Sequence, residues 1–300
     1  MKKKIISIAL SAVMCMSAVT CATVTAEATT CNREKISVQN NLSLGKGETV
    51  PISVDTAINR RSTERVYSHS HNTSIASIND RAFFNKYNYA TFKLTGKNTG
   101  NTKVRFCVDG FIDGGDNDDA YVNVKVYNAP RSITLNCENV KLGKGESVYV
   151  SEHTNSGSYA NAANLKWTTS NSNGKILYTS GNRAKVLSMN KGNFKINVST
   201  YNGQWDAAGC SVYNAPSSVK LSKTSLTLNK GKSYTISEST NSGSYANAAN
   251  LEWVSLNTKV ATVTKGSGNK ATIKAVGKGT AYIGIITYNG KTAKCKVTVK

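Results

Sequence analysis

The chain has 300 residues and a formal net charge of +21 at pH 7, with 38 lysines and arginines against 17 aspartates and glutamates. This length allows roughly two or three domains, and the basic excess indicates either a solvated basic face or weak adhesion to an anionic surface. With three histidines, no spacing typical of a Ser-His-Asp or Cys-His site and no phosphate-binding glycine loop, the sequence predicts a protein that is not an enzyme.

The first residues have the pattern of an export signal. Lysines at positions 2–4 precede an apolar run over 5–19, and Ala26 and Ala28 are small residues at the spacing that a signal peptidase reads. A run of about fifteen residues is short for a membrane span. We therefore predict a signal peptide over 1–28, no transmembrane segment in the mature chain, and a secreted, extracellular or cell-surface location. An exported protein meets anionic wall polymers, so no nucleic acid is expected as partner.

One stretch occurs twice in the chain. Residues 154–167 read TNSGSYANAANLKW and residues 240–253 read TNSGSYANAANLEW, so the period is 86 residues. That period suits a whole small β-domain and is too long for a helical solenoid unit. Two of the three prolines stand at the same place in the repeat, in the YNAP sequences 127–130 and 213–216. We therefore predict domains over 33–127, 131–213 and 217–300, joined by short linkers.

Short runs of alternating apolar and polar residues fill each repeat. In the third repeat they give about seven strands, and Asn289-Gly290 is a two-residue hairpin signal. No segment has a sustained helical period. The sequence predicts an all-β chain of three tandem immunoglobulin-like antiparallel β-sandwiches. Trp167 and Trp253 are expected in the core at the third strand, with Tyr67 in that place in the first repeat.

The third repeat also resembles a known family, the bacterial immunoglobulin-like domain of group 2. The similar segments are SSVKL at 217–221, LNKG at 228–231, LEWVS at 251–255, VATV at 260–263, GTAYI at 279–283 and CKVTV at 295–299. In the first repeat, YSHSHN at 67–72 followed by IASI at 75–78 is similar to the same family pattern. The resemblance covers essentially 33–300. It implies an Ig-like fold in an exported surface protein, as in adhesins of the intimin and invasin type, and no particular ligand.

An acidic segment distinguishes the first repeat. It carries five aspartates over 109–119, and its candidate metal ligands are Asp109, Asp113, Asp116 and Asp118. Calcium takes several oxygen ligands at once, so this loop is a candidate calcium site, although its spacing does not match an EF-hand. The alternative is a long solvated hairpin loop in which Asp and Gly serve the turn. No other cofactor is predicted.

Five cysteines follow the predicted cleavage site, so at least one thiol stays unpaired within the chain. In immunoglobulin-type folds the segments of Cys137 and Cys210 run side by side and parallel. A Cys137–Cys210 disulfide is therefore a candidate bridge within the second repeat.

Three aromatic residues are candidate ligand contacts. Tyr159 and Tyr245 are the large side chains of the duplicated polar loop, and Trp205 lies near the tip of a hairpin. Such rings stack on sugars or fill protein pockets. We predict that Tyr159 and Trp205 form one patch on the second repeat. The alternative is that the loop is structural and its tyrosine packs over the end of the sandwich.

Two functions follow from these features. In the first, the array is an adhesive or structural rod that binds a surface protein, a matrix or an anionic cell-wall polymer. In the second, it is a carbohydrate-binding accessory module for wall or environmental polysaccharide.

Overall fold

The computed structural model describes residues 36–56, 65–108 and 119–300, and the predicted signal peptide lies outside these ranges. The described chain forms six β-sheets. They make three consecutive pairs, which we call module 1 (strands within 36–127), module 2 (133–213) and module 3 (219–299). The predicted all-β, Ig-like class is confirmed.

Module 1 contains a four-stranded and a five-stranded sheet. Its strands are β1 (Ile36–Ser37), β2 (Asn41–Gly45), β3 (Thr49–Thr56), β4 (Arg65–Ser70), β5 (Ala76–Ile78), β6 (Arg81–Phe83), β7 (Tyr89–Gly96), β8 (Gly100–Val108) and β9 (Ala120–Tyr127). The strand orders are β1-β3-β7-β5 and β2-β9-β8-β4-β6.

Module 2 contains two four-stranded sheets. Its strands are β10 (Ile133–Leu135), β11 (Asn139–Gly143), β12 (Ser147–Thr154), β13 (Lys166–Thr169), β14 (Gly174–Ser180), β15 (Arg183–Ser188), β16 (Gly192–Ser199) and β17 (Trp205–Tyr213). The strand orders are β10-β12-β15-β14 and β11-β17-β16-β13.

Module 3 repeats the sheets of module 2 strand for strand. Its strands are β18 (Val219–Leu221), β19 (Ser225–Leu228), β20 (Ser233–Thr240), β21 (Glu252–Ser255), β22 (Ala261–Lys265), β23 (Lys270–Ala275), β24 (Gly279–Ile286) and β25 (Thr292–Val299). The strand orders are β18-β20-β23-β22 and β19-β25-β24-β21.

Each module combines antiparallel pairs with one parallel pair. The parallel pairs are β2 with β9, β11 with β17, and β19 with β25. Alternation directs the apolar residues inward, as in β9, where buried Val122, Val124 and Val126 alternate with exposed residues. Each module consequently has its own buried core between its two sheets.

The tryptophans occupy equivalent strands but differ in burial. Trp167 in β13 is buried, with 8% of its surface exposed, as predicted. Trp253 in β21 and Tyr67 in β4 are only half-buried, so the prediction of a buried Trp253 is only partly met. Neither indole Nε1 has a hydrogen-bond partner. Trp167 therefore contributes more apolar burial to its module than Trp253 does.

Candidate functional site

The duplicated stretch lies where one module meets the module before it. In module 2 it follows β12 and contains a short 3-10 turn, Ala162–Asn164. The cap residue Asn161 accepts a hydrogen bond from Ala163 N at 3.0 Å. On the other side lies the turn between β2 and β3 of module 1, and we call this contact junction 1–2.

Glu48 is at the centre of junction 1–2, and its side chain is fully buried. Its Oε2 accepts a hydrogen bond from Gly45 N at 2.8 Å within the same turn. Its Oε1 accepts from Asn161 N at 2.8 Å and from Asn164 Nδ2 at 3.0 Å. Two of these three donors belong to module 2. The buried carboxylate is therefore fully satisfied only while the two modules are in contact.

The same two asparagines also donate to backbone carbonyls of module 1. Asn161 Nδ2 donates to Ser43 O at 3.1 Å, and Asn164 Nδ2 donates to Thr49 O at 2.9 Å. Each asparagine thus holds the turn of module 1 at two points, which fixes the orientation of one module on the other.

The modules approach each other most closely at Gly45. A Cβ atom there would lie 2.3 Å from Tyr201 Oη and 2.4 Å from Tyr159 O. The Tyr201 hydroxyl donates to Lys46 O at 2.7 Å. Glycine is required here because the neighbouring module leaves no room for a side chain.

The linker is part of junction 1–2. Asn128 N donates to Gly157 O at 3.3 Å, and Tyr159 N donates back to Asn128 O at 3.2 Å. The rings of Tyr127 and Tyr159 lie 5.6 Å apart between centroids. Backbone bonds and ring packing therefore restrain the short connection between the modules.

The same contacts recur between modules 2 and 3, in what we call junction 2–3. Buried Glu146 takes the place of Glu48. Its Oε2 accepts from Gly143 N at 2.8 Å, and its Oε1 accepts from Asn247 N at 2.7 Å and from Asn250 Nδ2 at 3.0 Å. The remaining donors are Asn247 Nδ2 to Lys141 O at 3.1 Å, Asn250 Nδ2 to Ser147 O at 2.8 Å and Tyr288 Oη to Lys144 O at 2.9 Å. The rings of Tyr213 and Tyr245 lie 5.7 Å apart.

Burial shifts the pKa values of the glutamates and tyrosines in both junctions. It raises the pKa of Glu48 and Glu146, while the hydrogen bonds that each carboxylate accepts lower it. Burial also raises the pKa of Tyr201 and Tyr288 to about 12, and the nearby glutamate adds to the effect. Both phenols therefore remain protonated donors at neutral pH.

Module 3 has the same turn with different side chains. Its backbone follows the other two, with left-handed glycines at Gly47, Gly145 and Gly231 (φ 81°, 82° and 84°). Asn229 stands where the other turns have Gly45 and Gly143, and Lys232 stands where they have glutamate. This turn therefore lacks both the space and the acceptor that a junction of this type uses.

The three predicted aromatic contacts lie in two different environments. Tyr159 and Tyr245 are half-buried in the junctions, packed on Tyr127 and Tyr213. Trp205 begins β17, and 71% of its surface is exposed. Among the described residues no ring contact joins Tyr159 to Trp205, and the ring of Tyr159 packs on Tyr127 instead. A ligand role for these three residues stays a prediction.

Tyr159 also lines a cavity of about 280 Å³ together with Glu152, His153, Leu165 and Asn182. Glu152 is buried, with 5% of its surface exposed, and its Oε2 has no hydrogen-bond partner. Burial raises the pKa of this carboxyl group, and His153 partly offsets the shift. The cavity thus combines an aromatic wall with one buried acid.

The candidate calcium ligands Asp109, Asp113, Asp116 and Asp118 lie outside the described residues, so the calcium site stays a prediction. Within 36–56, 65–108 and 119–300 no group of three or more His, Cys, Asp or Glu side chains is arranged to hold a metal ion. The rings of His69 and His71 lie 6.2 Å apart in module 1.

The cysteines of module 2 are free thiols. β11 and β17 run parallel, as the resemblance implied, and Val140 lies beside Cys210. Cys137 and Cys210 are nevertheless unbonded, so the candidate disulfide is not formed in this structure. Burial raises the pKa of Cys210 to about 12, and the neighbouring Cys137 adds to the shift. A thiol with this pKa is almost entirely protonated at neutral pH and reacts slowly.

Comparison with known families assigns the C-terminal part of the chain. Residues 216–297 match the sequence profile of the bacterial Ig-like domain (group 2). Over these residues module 3 is similar to the group 2 bacterial Ig-like domain. This confirms the resemblance seen in the sequence over these residues, and module 2 has the same strand order as this Ig-like domain. A comparison with curated proteins found no match.

Several solved structures are similar at low identity. Domains 4 and 5 of the S-layer protein SbsC share 16% identity over 57% of this chain and 98% of their own, with a TM-score of 0.25. An intimin fragment in complex with its translocated receptor shares 14% over 56% of this chain and 60% of its own, with a TM-score of 0.24. Invasin, a bacterial integrin-binding protein, shares 15% over 89% of this chain and 59% of its own, with a TM-score of 0.26. At these TM-scores the three structures bear on neither the partners nor the activity of this chain.

No helix among the described residues is long and apolar enough to cross a membrane.

Proposed function

We propose that this protein is exported to the cell surface or the extracellular space, where its modules form a non-catalytic rod that acts as an adhesin or a structural spacer. The observation that supports the proposal is the junction, which is built twice from the same residues. Independent domains on flexible linkers would not require two buried glutamates whose hydrogen-bond donors lie in the next module.

The contacts favour a stiff arrangement over domains on flexible strings. Each junction combines a buried carboxylate, two asparagine side chains and a linker held by backbone hydrogen bonds. Relative motion is the default between domains unless their interface holds them together, and here the buried glutamate and its donors from the next module do so. Three such modules end to end give a molecule on the order of 100 Å long.

Small-angle scattering of the mature chain tests the rod. We expect one elongated species with a maximum dimension on the order of 100 Å and little flexibility. A compact particle, or a profile typical of freely jointed domains, would contradict the proposal.

A carbohydrate-binding accessory module is the second candidate, because Tyr159 lines a cavity and the ring of Trp205 is exposed. Titration of the wild type with soluble polysaccharides should change tryptophan fluorescence if Trp205 contacts a sugar, and the Trp205→Ala variant should lose that part of the change. An identical response in both proteins would exclude Trp205 as a contact.

Calcium binding by the acidic loop is a separate proposal. We expect calcium to raise the melting temperature of the wild type relative to a chelator, and to leave that of an Asp113→Asn, Asp116→Asn variant unchanged. Equal shifts in both proteins would place the effect elsewhere.

A further inference from the structure

The outer face of one sheet of module 2 carries a row of two tyrosines and a lysine. Tyr149 of β12 lies opposite Lys185 of β15, and Lys185 lies opposite Tyr178 of β14. The tyrosines are 46% and 48% exposed. Their inward neighbours Val150 and Val186 are buried, so the row faces away from the core.

Cations lie over these rings. Lys185 Nζ is 5.3 Å from the ring centre of Tyr149 and 5.9 Å from that of Tyr178. The guanidinium carbon of Arg183 is 5.1 Å from the ring centre of Tyr149. The two hydroxyls share a hydrogen bond, which raises the pKa of Tyr178. Rings, cations and hydroxyls thus form one surface, which we call the Tyr-Lys-Tyr face.

A β-bulge produces this alignment. Ile176 pairs with Val186 and Tyr178 pairs with Lys185, so Leu177 is an extra residue without a partner in the register. Because side chains alternate between faces, an uninterrupted strand would place residue 177, not Tyr178, opposite Lys185. Bulges recur where a side chain must be re-aimed next to a functional surface.

Module 3 has neither feature. Thr235, Thr272 and Thr264 occupy the same places across its three strands, and β22 pairs with β23 without a register shift. Since the two modules share their strand order and the duplicated loop, the fold does not require the Tyr-Lys-Tyr face.

The charge on this face has one sign. Lys175 and Arg183 are exposed beside the row. The one acidic residue of β12, β14 and β15 is Glu152, which is buried on the opposite side of the sheet. An anionic partner therefore meets no like charge from these strands.

From this arrangement we propose that the Tyr-Lys-Tyr face of module 2 binds an anionic polysaccharide. Tyrosine rings present flat apolar surfaces on which sugar rings stack, while Arg183, Lys185 and Lys175 pair with carboxylates along the polymer. Besides the two tyrosines, Leu177 is the one exposed large apolar residue of β12, β14 and β15, so the face suits a polar linear polymer better than a protein interface with a buried apolar centre. This inference deepens the proposed function, since it names the surface and the partner through which the rod adheres.

The test compares the mature wild type with a Tyr149→Thr, Tyr178→Thr, Lys185→Thr variant. These are the residues that module 3 carries at the same places, so the variant should fold, as its melting curve will show. Binding is measured to polygalacturonate, to its methyl-esterified form and to polyglutamate. The esterified polymer keeps the sugar rings without the charge, and polyglutamate keeps the charge without the sugar rings. The matched control is Tyr282→Thr with Lys294→Thr, which removes an exposed tyrosine and the lysine over its ring from module 3.

We expect the wild type and the Tyr282→Thr, Lys294→Thr control to bind polygalacturonate alike, the esterified polymer and polyglutamate to bind more weakly, and the triple variant to lose affinity about tenfold or more. Unchanged affinity in a folded triple variant would overturn the proposal. If polyglutamate binds as tightly as polygalacturonate, charge attraction alone explains the binding. The polysaccharide proposal would then be overturned in favour of an acidic protein partner. Scattering of the triple variant should match that of the wild type, so a failure of this proposal is distinguishable from a failure of the rod.

Discussion

The turns that precede the third strand of each module look alike in backbone but differ in what lies against them. In modules 1 and 2 the turn reads GKGE, and its glutamate is buried under the loop of the next module. In module 3 it reads NKGK, and no module lies against it in the described structure. The left-handed glycine therefore determines the backbone conformation of the turn. Contact with the neighbouring module determines which residues occupy its first and last positions.

The difference shows how a buried charge is kept in a surface turn. A glutamate in a dry environment is unfavourable unless donors satisfy it. Module 2 supplies two donors to Glu48, and module 3 supplies two to Glu146. In module 3 the same position carries Lys232, which is exposed in the described structure.

The strongest test of this comparison converts one turn into the other. Gly143→Asn with Glu146→Lys gives module 2 the turn of module 3. The asparagine Cβ would lie 2.2 Å from Tyr245 O, and the lysine removes the acceptor. We expect both modules to fold while junction 2–3 opens. The free energy that couples the two modules should fall by about 3 to 5 kcal/mol at most, since their separation relieves the steric clash at residue 143. Scattering should show a flexible joint between modules 2 and 3.

The matched control is the reverse change, Asn229→Gly with Lys232→Glu, in module 3. It alters the same turn at a place where the described residues form no junction, so the scattering profile of this chain should not change. A rigid profile for the first variant would mean that the linker alone sets the angle between the modules.

The pattern of the fold was accessible from the sequence because it is local. Alternating residues gave the strands and the sandwich class, and the repeated tryptophan marked an equivalent strand in two modules. Trp253 shows the limit, because its half exposure depends on how neighbouring segments pack and not on its own strand pattern.

The candidate site was harder to predict, because polar loops look alike whether they bind a ligand or another module. From its sequence the duplicated loop could be either a ligand contact or a structural loop, and in the structure its Asn161 and Asn164 satisfy Glu48. The sequence did hold a signal. The GKGE turn occurs in repeats 1 and 2, and the duplicated loop occurs in repeats 2 and 3. Such an offset of one repeat is typical of an interface between successive modules. Tyr178 was missed because its direction depends on a bulge.

A second test separates the core of a module from its junctions. Trp167→Ala removes a buried side chain from module 2, and we expect a loss of about 3 to 5 kcal/mol in the free energy of unfolding of that module. Trp253→Ala should have a smaller effect in module 3, because that ring is half-exposed. Denaturant unfolding of the two variants measures both values. Equal losses of unfolding free energy in the two variants would contradict the expectation that the more exposed Trp253 contributes less than Trp167.

A third test asks whether the two junctions are energetically equal. Glu48→Gln and Glu146→Gln keep the shape but replace one acceptor oxygen by an amide that faces a donor. Leaving one buried donor unsatisfied costs about 1 to 3 kcal/mol. Because the contacts are the same, the two variants should lose similar amounts. Hydrogen exchange of the backbone amides of Asn161 and Asn247 reports each junction separately, and a change at only one of them would contradict the equivalence.

The smallest expected effect concerns the tyrosines that close the junctions from the other side. Tyr201 and Tyr288 have pKa values raised from 10.0 to about 12 by burial. A group whose pKa is higher in the folded state stabilises that state below its unfolded pKa, so their contribution is present below pH 10.0 and is lost as the pH rises through about 12. Tyr201→Phe and Tyr288→Phe should each cost about 1 kcal/mol at neutral pH. In an alkaline titration followed by tyrosinate absorbance, the wild type should show two late-titrating tyrosines that the double variant lacks. If the double variant keeps the two late-titrating tyrosines, that late titration belongs to other residues. The hydroxyls of Tyr201 and Tyr288 are then solvated, and Glu48 and Glu146 hold the junctions without them.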